Sequence, residues 1–123
     1  MRISAAESRI MEVLWREARP IASEEVADIL ADQEQWSHGT VRTLLTRLVK
    51  KKAVATRKDG RRFLYAPLIA RGDYVHAESQ NLIDRLFEGR LAPFIAHFSA
   101  RQDLSAEEIA ELRRLIDELD RDK

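Results

Sequence analysis

The chain has 123 residues, 45% hydrophobic and 34% charged, a balance that suits a folded globular protein and excludes a disordered one. No apolar run approaches the roughly 18 residues of a membrane span, and Arg2, Glu7, Arg9 and Glu12 break up any signal-peptide-like segment. The absence of cysteine excludes disulfides, thiol catalysis and thiolate metal sites, and the chain reads as cytoplasmic.

Net charge is zero, with 21 basic and 21 acidic residues, but the charge is unevenly placed. Residues 1–74 hold 14 Lys or Arg against 10 Asp or Glu, and residues 75–123 hold 7 against 11. Within residues 38–62 nine basic side chains (Arg42, Arg47, Lys50, Lys51, Lys52, Arg57, Lys58, Arg61, Arg62) face only Asp59. Binding to phosphate responds to local charge, so such a cluster serves as an electrostatic footprint on a neutral protein. Taken alone, it reads equally as a solvated basic face.

In chain order, Ser4-Ala5-Ala6-Glu7 is a capping-box pattern that opens a first helix. Ile10, Val13 and Leu14 form its apolar stripe, extended by Met11 and Trp15, until Ala18-Arg19-Pro20 ends it. A second helix is predicted from Ser23 to Ala31 on Val26, Ile29 and Leu30, followed by a connection over Gln33–Trp36. Ser37 is the expected N-cap of a third helix reaching about Lys51. Val54–Lys58 and Phe63–Ala66 then read as strands joined by the turn signal Asp59-Gly60, and Pro67 closes the unit. Three helices followed by a hairpin is the order of a winged helix-turn-helix.

Beyond Pro67 the pattern is helical: Ala70–Phe87, a break at Gly89, Leu91–Phe98 around Pro93, and a final helix opened by the capping-box pattern Ser105-Ala106-Glu107-Glu108. About fifty residues build little core alone. The expected dimerisation residues are Leu82, Leu86, Phe87, Leu91, Phe94, Ile95, Phe98, Ile109, Leu112, Leu115, Ile116 and Leu119. A second copy of the chain is the simplest cover for them, and packing on the chain's own first half is the alternative.

The third helix carries the chemistry. On a wheel of about 100° per residue, Val41, Leu44, Leu45 and Leu48 share one arc and face a core. The opposite arc holds Gly39, Arg42, Thr43, Thr46 and Lys50, with Arg47 on its flank and no acid from Ser37 to Lys52. Arginine's planar fork fits the guanine edge, and threonine contacts a base edge, a thymine methyl or a phosphate. Ser37 and the first-turn N–H groups suit a phosphate, with Thr40 beside them. The turn adds Lys58, Arg61 and Arg62, read either as a charge-protected edge hairpin or as a wing touching DNA. Beside an acid-free helix the DNA reading is preferred.

His38, His76 and His97 show no ligand spacing, so no metal or cofactor is expected. Trp15 and Trp36 read as core anchors. No nucleophile with an orienting base can be assembled, and the chain does not read as an enzyme.

The run Trp36-Ser37-His38-Gly39-Thr40-Val41-Arg42-Thr43-Leu44-Leu45-Thr46-Arg47-Leu48 resembles the recognition-helix signature of the penicillinase-repressor family. So do Ser4–Glu7 with Met11–Trp15, Gly60-Arg61-Arg62 with Tyr65-Ala66-Pro67, and Asp103–Ile109. That family includes repressors of β-lactamase, methicillin-resistance and copper-transport genes. The resemblance implies a winged helix followed by a helical dimerisation domain, repressing transcription from a palindromic operator. The chain departs from the pattern at Gly39, often a longer and basic residue, at Lys52-Ala53, usually Lys-Gly, and at Ile21, often a capping Thr. At the Asn-Phe bond where β-lactam-responsive members are cleaved it has His97-Phe98, and it lacks the copper-responsive cysteine motif.

The sequence therefore predicts a mainly α fold with a small β-hairpin wing, a winged-helix DNA-binding domain over residues 1–70 and a helical dimerisation domain over 71–123. The expected partners are double-stranded operator DNA, a second copy of the chain and an inducer-sensing partner or protease, with no membrane. Arg42, Thr43 and Thr46 are expected to read bases. Ser37, Thr40, Arg47, Lys50, Lys58, Arg61 and Arg62 are expected to hold phosphates. The alternative is a winged-helix protein-interaction module that does not bind DNA.

Overall fold

The computed structural model of the chain describes residues 2–122. The chain divides into two compact units, Met1–Val75 and His76–Lys123.

Helix α1 spans Ala5–Glu17. Its capping box is complete: the Glu7 N–H donates to Ser4 Oγ at 3.1 Å, and the Ser4 N–H donates to Glu7 Oε1 at 2.8 Å. The helix buries Ile10, Met11, Val13 and Leu14 and stops on Ala18, whose left-handed backbone returns its N–H to the Leu14 carbonyl. Strand β1, Ile21–Ala22, pairs with a later strand and has no counterpart in the sequence reading, since two residues display no period.

Helix α2, Ser23–Glu34, begins on Ala22 with no side-chain cap. Sheet pairing of Ile21 and Ala22 fixes the entry, and position 21, expected to cap the helix, lies one residue before its N-cap. The helix runs three residues past the predicted Ala31 and ends on Gln35, again with positive φ.

Helix α3, His38–Lys50, is capped by Ser37 and buries Val41, Leu44, Leu45 and Leu48 as the wheel predicts. It closes with the Lys52 N–H on the Val49 carbonyl and the Ala53 N–H on the Leu48 carbonyl, both 3.0 Å. This paired closure places residue 52, not residue 53, in the left-handed region (φ 64). Replacing the usual Lys-Gly by Lys52-Ala53 therefore leaves the turn intact, because Ala53 contributes a fully buried methyl instead.

Strands β2 (Val54–Asp59) and β3 (Arg62–Pro67) form the hairpin, and the sheet order is β1-β3-β2. Each strand is longer than predicted, and the loop shrinks to Gly60-Arg61, because Asp59 and Arg62 pair across the closing rung. Gly60 alone in this loop has positive φ, as a two-residue loop with glycine first requires. One core joins α1, α2, α3 and the sheet through Leu14, Val26, Leu45, Leu48, Ile21 and Val54. Each such side chain contributes about 1.5–3 kcal/mol by leaving water.

Helix α4, Arg71–Phe87, crosses the division between the units. The first turn of α4 is fastened to α1. The Trp15 indole N–H donates to the Ile69 carbonyl at 2.9 Å, the Trp15 and Tyr74 rings lie 5.5 Å apart, and Arg71 Nε meets Glu12 at 3.1 Å.

In the second unit, α5 (Leu91–Ala100) tolerates Pro93 because proline in a first turn removes no helical hydrogen bond. Helix α6, Ala106–Arg121, is capped by Ser105 Oγ accepting from the Glu108 N–H at 3.1 Å, which is half of the predicted capping box. Phe87, Phe94, His97 and Phe98 make edge-to-face contacts. None of the described residues of this unit is buried. No helix of the described residues is long and apolar enough to cross a membrane.

Candidate nucleic-acid interface

Helix α3 owes its functional face to amphipathic sorting. Because Val41, Leu44, Leu45 and Leu48 fill one stripe, every polar residue predicted for the site on this helix is turned outward. Ser37, Thr40, Arg42, Thr43, Thr46, Arg47 and Lys50 are all exposed.

Their local bonds determine what they can offer. Ser37 Oγ accepts from the Thr40 N–H at 3.1 Å and lies 3.1 Å from Thr40 Oγ1. The Thr43 hydroxyl donates to the Gly39 carbonyl at 3.0 Å, and the Thr46 hydroxyl to the Arg42 carbonyl at 2.9 Å. With their protons engaged, both threonines present an accepting oxygen and a methyl group to a partner. A Cβ on Gly39 would meet only Ser37 Oγ, at 3.7 Å, so the glycine is not sterically required. It leaves its own N–H uncovered beside the capped Thr40 N–H, with a shallow recess lined by Ser37, Gly39, Thr40, Thr43, Leu44 and Arg47.

The basic residues do not form one uniform patch. Among the described residues Arg42, Arg47, Lys50, Lys58 and Arg61 make no ion pair. Lys51 is committed inward, donating from Nζ to Glu7 Oε1 at 2.6 Å and to the Arg2 carbonyl at 2.7 Å. Glu7 is fully buried, and its Oε2 has no hydrogen-bond partner. Burial pushes the Glu7 carboxyl up, but hydrogen bonds from Lys51 and Ser4 and the Lys51 charge outweigh it and hold it below its ordinary value. The pair ties the C-terminal end of α3 to the start of α1. It joins residues 44 apart, and no sequence pattern pointed to it.

On the wing, Lys58, Arg61 and Arg62 are exposed. Arg62 differs from the other two: its Nε lies 3.7 Å from Asp59, and its charge also reaches Glu25. Glu25 is held below the ordinary carboxylate value mainly by its hydrogen bond from Arg19 at 2.9 Å. Arg62 is thus drawn toward acids of its own unit, whereas Lys58 and Arg61 beside it make no ion pair among the described residues. His38 stands 3.8 Å from Asp28 of α2, and no group of three or more potential ligands gathers around a metal position among the described residues.

The surface so built is acid-free on α3 and cationic on the hairpin, and α3 packs directly on β2 within one unit. A profile of the Penicillinase repressor family matches residues 3–118. The chain belongs to the penicillinase repressor family. It is 37% identical over 116 residues to the penicillinase repressor of Bacillus licheniformis, covering 94% of this chain and 90% of that one. It is 34% identical over 114 residues to the methicillin resistance regulatory protein MecI of Staphylococcus aureus (strain N315), covering 93% and 92%. The solution structure of the monomeric form of Bacillus licheniformis BlaI in complex with the blaP half-operator matches with a TM-score of 0.52 and 40% identity, over 60% of this chain and 89% of that one. The fold is the winged helix of that family, and the family is one of transcriptional repressors, not of enzymes.

Proposed function

We propose that this penicillinase repressor family protein is a cytoplasmic, sequence-specific transcriptional repressor that binds a palindromic operator as a homodimer. The observation that carries the reading is the sorting of α3, which buries Val41, Leu44, Leu45 and Leu48 while an uninterrupted acid-free face is exposed. A helix that presents Arg and Thr without acids suits the major groove, where phosphates repel carboxylates and base edges accept from guanidinium groups. The BlaI half-operator complex, 40% identical and similar over 60% of this chain, supports DNA binding.

Arg42, Thr43 and Thr46 stand on the outward face and read bases. Ser37, Thr40, Arg47 and Lys50 flank them and hold phosphates, and the Gly39 N–H, with no side chain over it, adds to that grip. Lys58 and Arg61 extend the contact from the wing, with Arg62 contributing less because Asp59 already occupies it.

Dimerisation follows from the second unit, which buries no described residue although α6 places Ile109, Leu112, Leu115, Ile116 and Leu119 at helical spacing. A second copy covers that surface, and a two-fold dimer then requires half-sites about one helical turn, roughly 10 base pairs, or a multiple apart. Release requires a signal, from an inducer-sensing partner or protease, that weakens this arrangement. The His97-Phe98 bond lies within helix α5, so cleavage there would first require the helix to open.

A salt titration of binding to random and genome-selected duplexes, with wild type and Arg42→Ala side by side, tests the reading. It expects affinity that falls steeply with salt, a selected palindrome preferred by at least about a thousandfold, and loss of that preference in Arg42→Ala. Absence of binding at low salt would sink it and leave a protein-docking surface.

A further inference from the structure

We infer that Phe63 is an apolar DNA contact of the wing, resting on deoxyribose edges of the minor groove between phosphates held by Lys58 and Arg61. The inference rests on the DNA-binding reading above and adds a contact of different chemistry to it.

Strand alternation sends Leu64 inward, where it is 8% exposed, and places Phe63 and Tyr65 on the other face. These two aromatic neighbours then part company. Tyr65 packs against the core of the unit, whereas Phe63 is 50% exposed. A single exposed apolar residue is ordinary on a protein surface. The company Phe63 keeps is not. The hairpin register sets it directly opposite Lys58, so the two side chains share a face, and Arg61 lies two residues before it in the tight loop. An exposed hairpin is normally guarded by charge, and a phenylalanine among its cations works against that protection.

Double-stranded DNA presents the complementary pattern along a groove wall, with anionic phosphates separated by the apolar edges of the sugars. Two cations beside an aromatic ring match it in charge and in polarity. Phe63 is half covered in the strand, so it suits a groove wall better than a wedge between base steps.

The test measures affinity for a duplex selected by the wild-type protein, across a range of salt, for Phe63→Ala, Phe63→Leu, Arg61→Ala and Arg42→Ala. Phe63→Ala is expected to lose about tenfold in affinity with the slope of affinity against salt unchanged, because an apolar contact releases no counterion. Phe63→Leu is expected to recover part of that loss, and Arg61→Ala to lower the slope by about one. Thermal unfolding of Phe63→Ala is expected to match wild type, since the ring is not part of the core. If Phe63→Ala binds as wild type while Arg42→Ala fails, the inference falls and the repressor reading stands. A changed salt slope in Phe63→Ala also overturns it. If wild type binds no duplex, both fall together.

Discussion

The two units of this chain are built on opposite terms. Met1–Val75 closes a core of completely buried side chains from three helices and a sheet, whereas His76–Lys123 has helices of comparable length and no buried described residue. The difference is not apolar content, because α6 has leucine and isoleucine at every turn. It is that helices converge on the first unit from several directions and enclose a volume, while three helical segments of a short unit leave one face of each open. A winged helix can carry its own stability, whereas the second unit leaves its apolar surface exposed, and in the reading proposed above a second copy covers it.

Substitutions at matched leucines separate these two roles most strongly. Leu45→Ala is expected to cost about 2–5 kcal/mol in thermal or denaturant unfolding, with no dependence of that cost on protein concentration. Leu45 is fully buried, and the space it leaves has no means to refill. Leu115, 46% exposed, should behave differently. Leu115→Ala is expected to raise the dimer dissociation constant by tenfold or more, a loss of about 1.4 kcal/mol, read by sedimentation or by concentration-dependent melting. Equal, concentration-independent losses at both positions would erase the distinction between the units.

Within the first unit, Glu7→Gln is expected to cost about 1.5–3 kcal/mol, the range for hydrogen bonds to a charged group. The same residue sets a pH dependence. Its carboxyl is depressed in the folded state, so its contribution is complete above the ordinary value of 4.5 and is lost as pH falls through the lower folded value. Unfolding followed from neutral to acid pH should therefore steepen below 4.5 in wild type and be flatter in Glu7→Gln. Trp15→Phe keeps most of the ring but loses the bond to the Ile69 carbonyl. It is expected to cost about 1 kcal/mol and to loosen hydrogen exchange in the first turn of α4.

The smallest expected effect has the opposite sign. Lys52 pays the left-handed penalty of about 1–2 kcal/mol, and glycine's extra freedom in the unfolded chain takes back about 0.5–1 kcal/mol. Lys52→Gly should thus stabilise the first unit by about 0.5–1 kcal/mol without changing the dimer equilibrium, checked by unfolding at two concentrations.

Much of this architecture was legible from one-dimensional patterns. The period of about 3.6 residues placed the helices, the wheel of α3 separated Val41, Leu44, Leu45 and Leu48 from Arg42, Thr43 and Thr46, and Ser4, Ser37 and Ser105 marked three helix starts that the structure realises. These features depend on residues within a turn or two of one another, so sequence spacing alone determines them. The resemblance to the penicillinase repressors extended that reading to nearly the whole chain.

Other features required the chain to fold back on itself. Strand β1 exists only because β3 arrives beside Ile21 and Ala22, and the wing turn shortened because Asp59 and Arg62 meet across it. Lys51, counted in sequence with the basic cluster, was removed from the surface charge by Glu7 far away in the chain. Tyr65 and Phe63 look alike in sequence, and only the assembly of the core decided that Tyr65 packs on it while Phe63 stays half exposed. Local periodicity specifies which residues form a helix and which way it faces. Ion pairing, edge pairing and the covering of one ring rather than its neighbour depend on what lies across space, and that information arises only when distant segments meet.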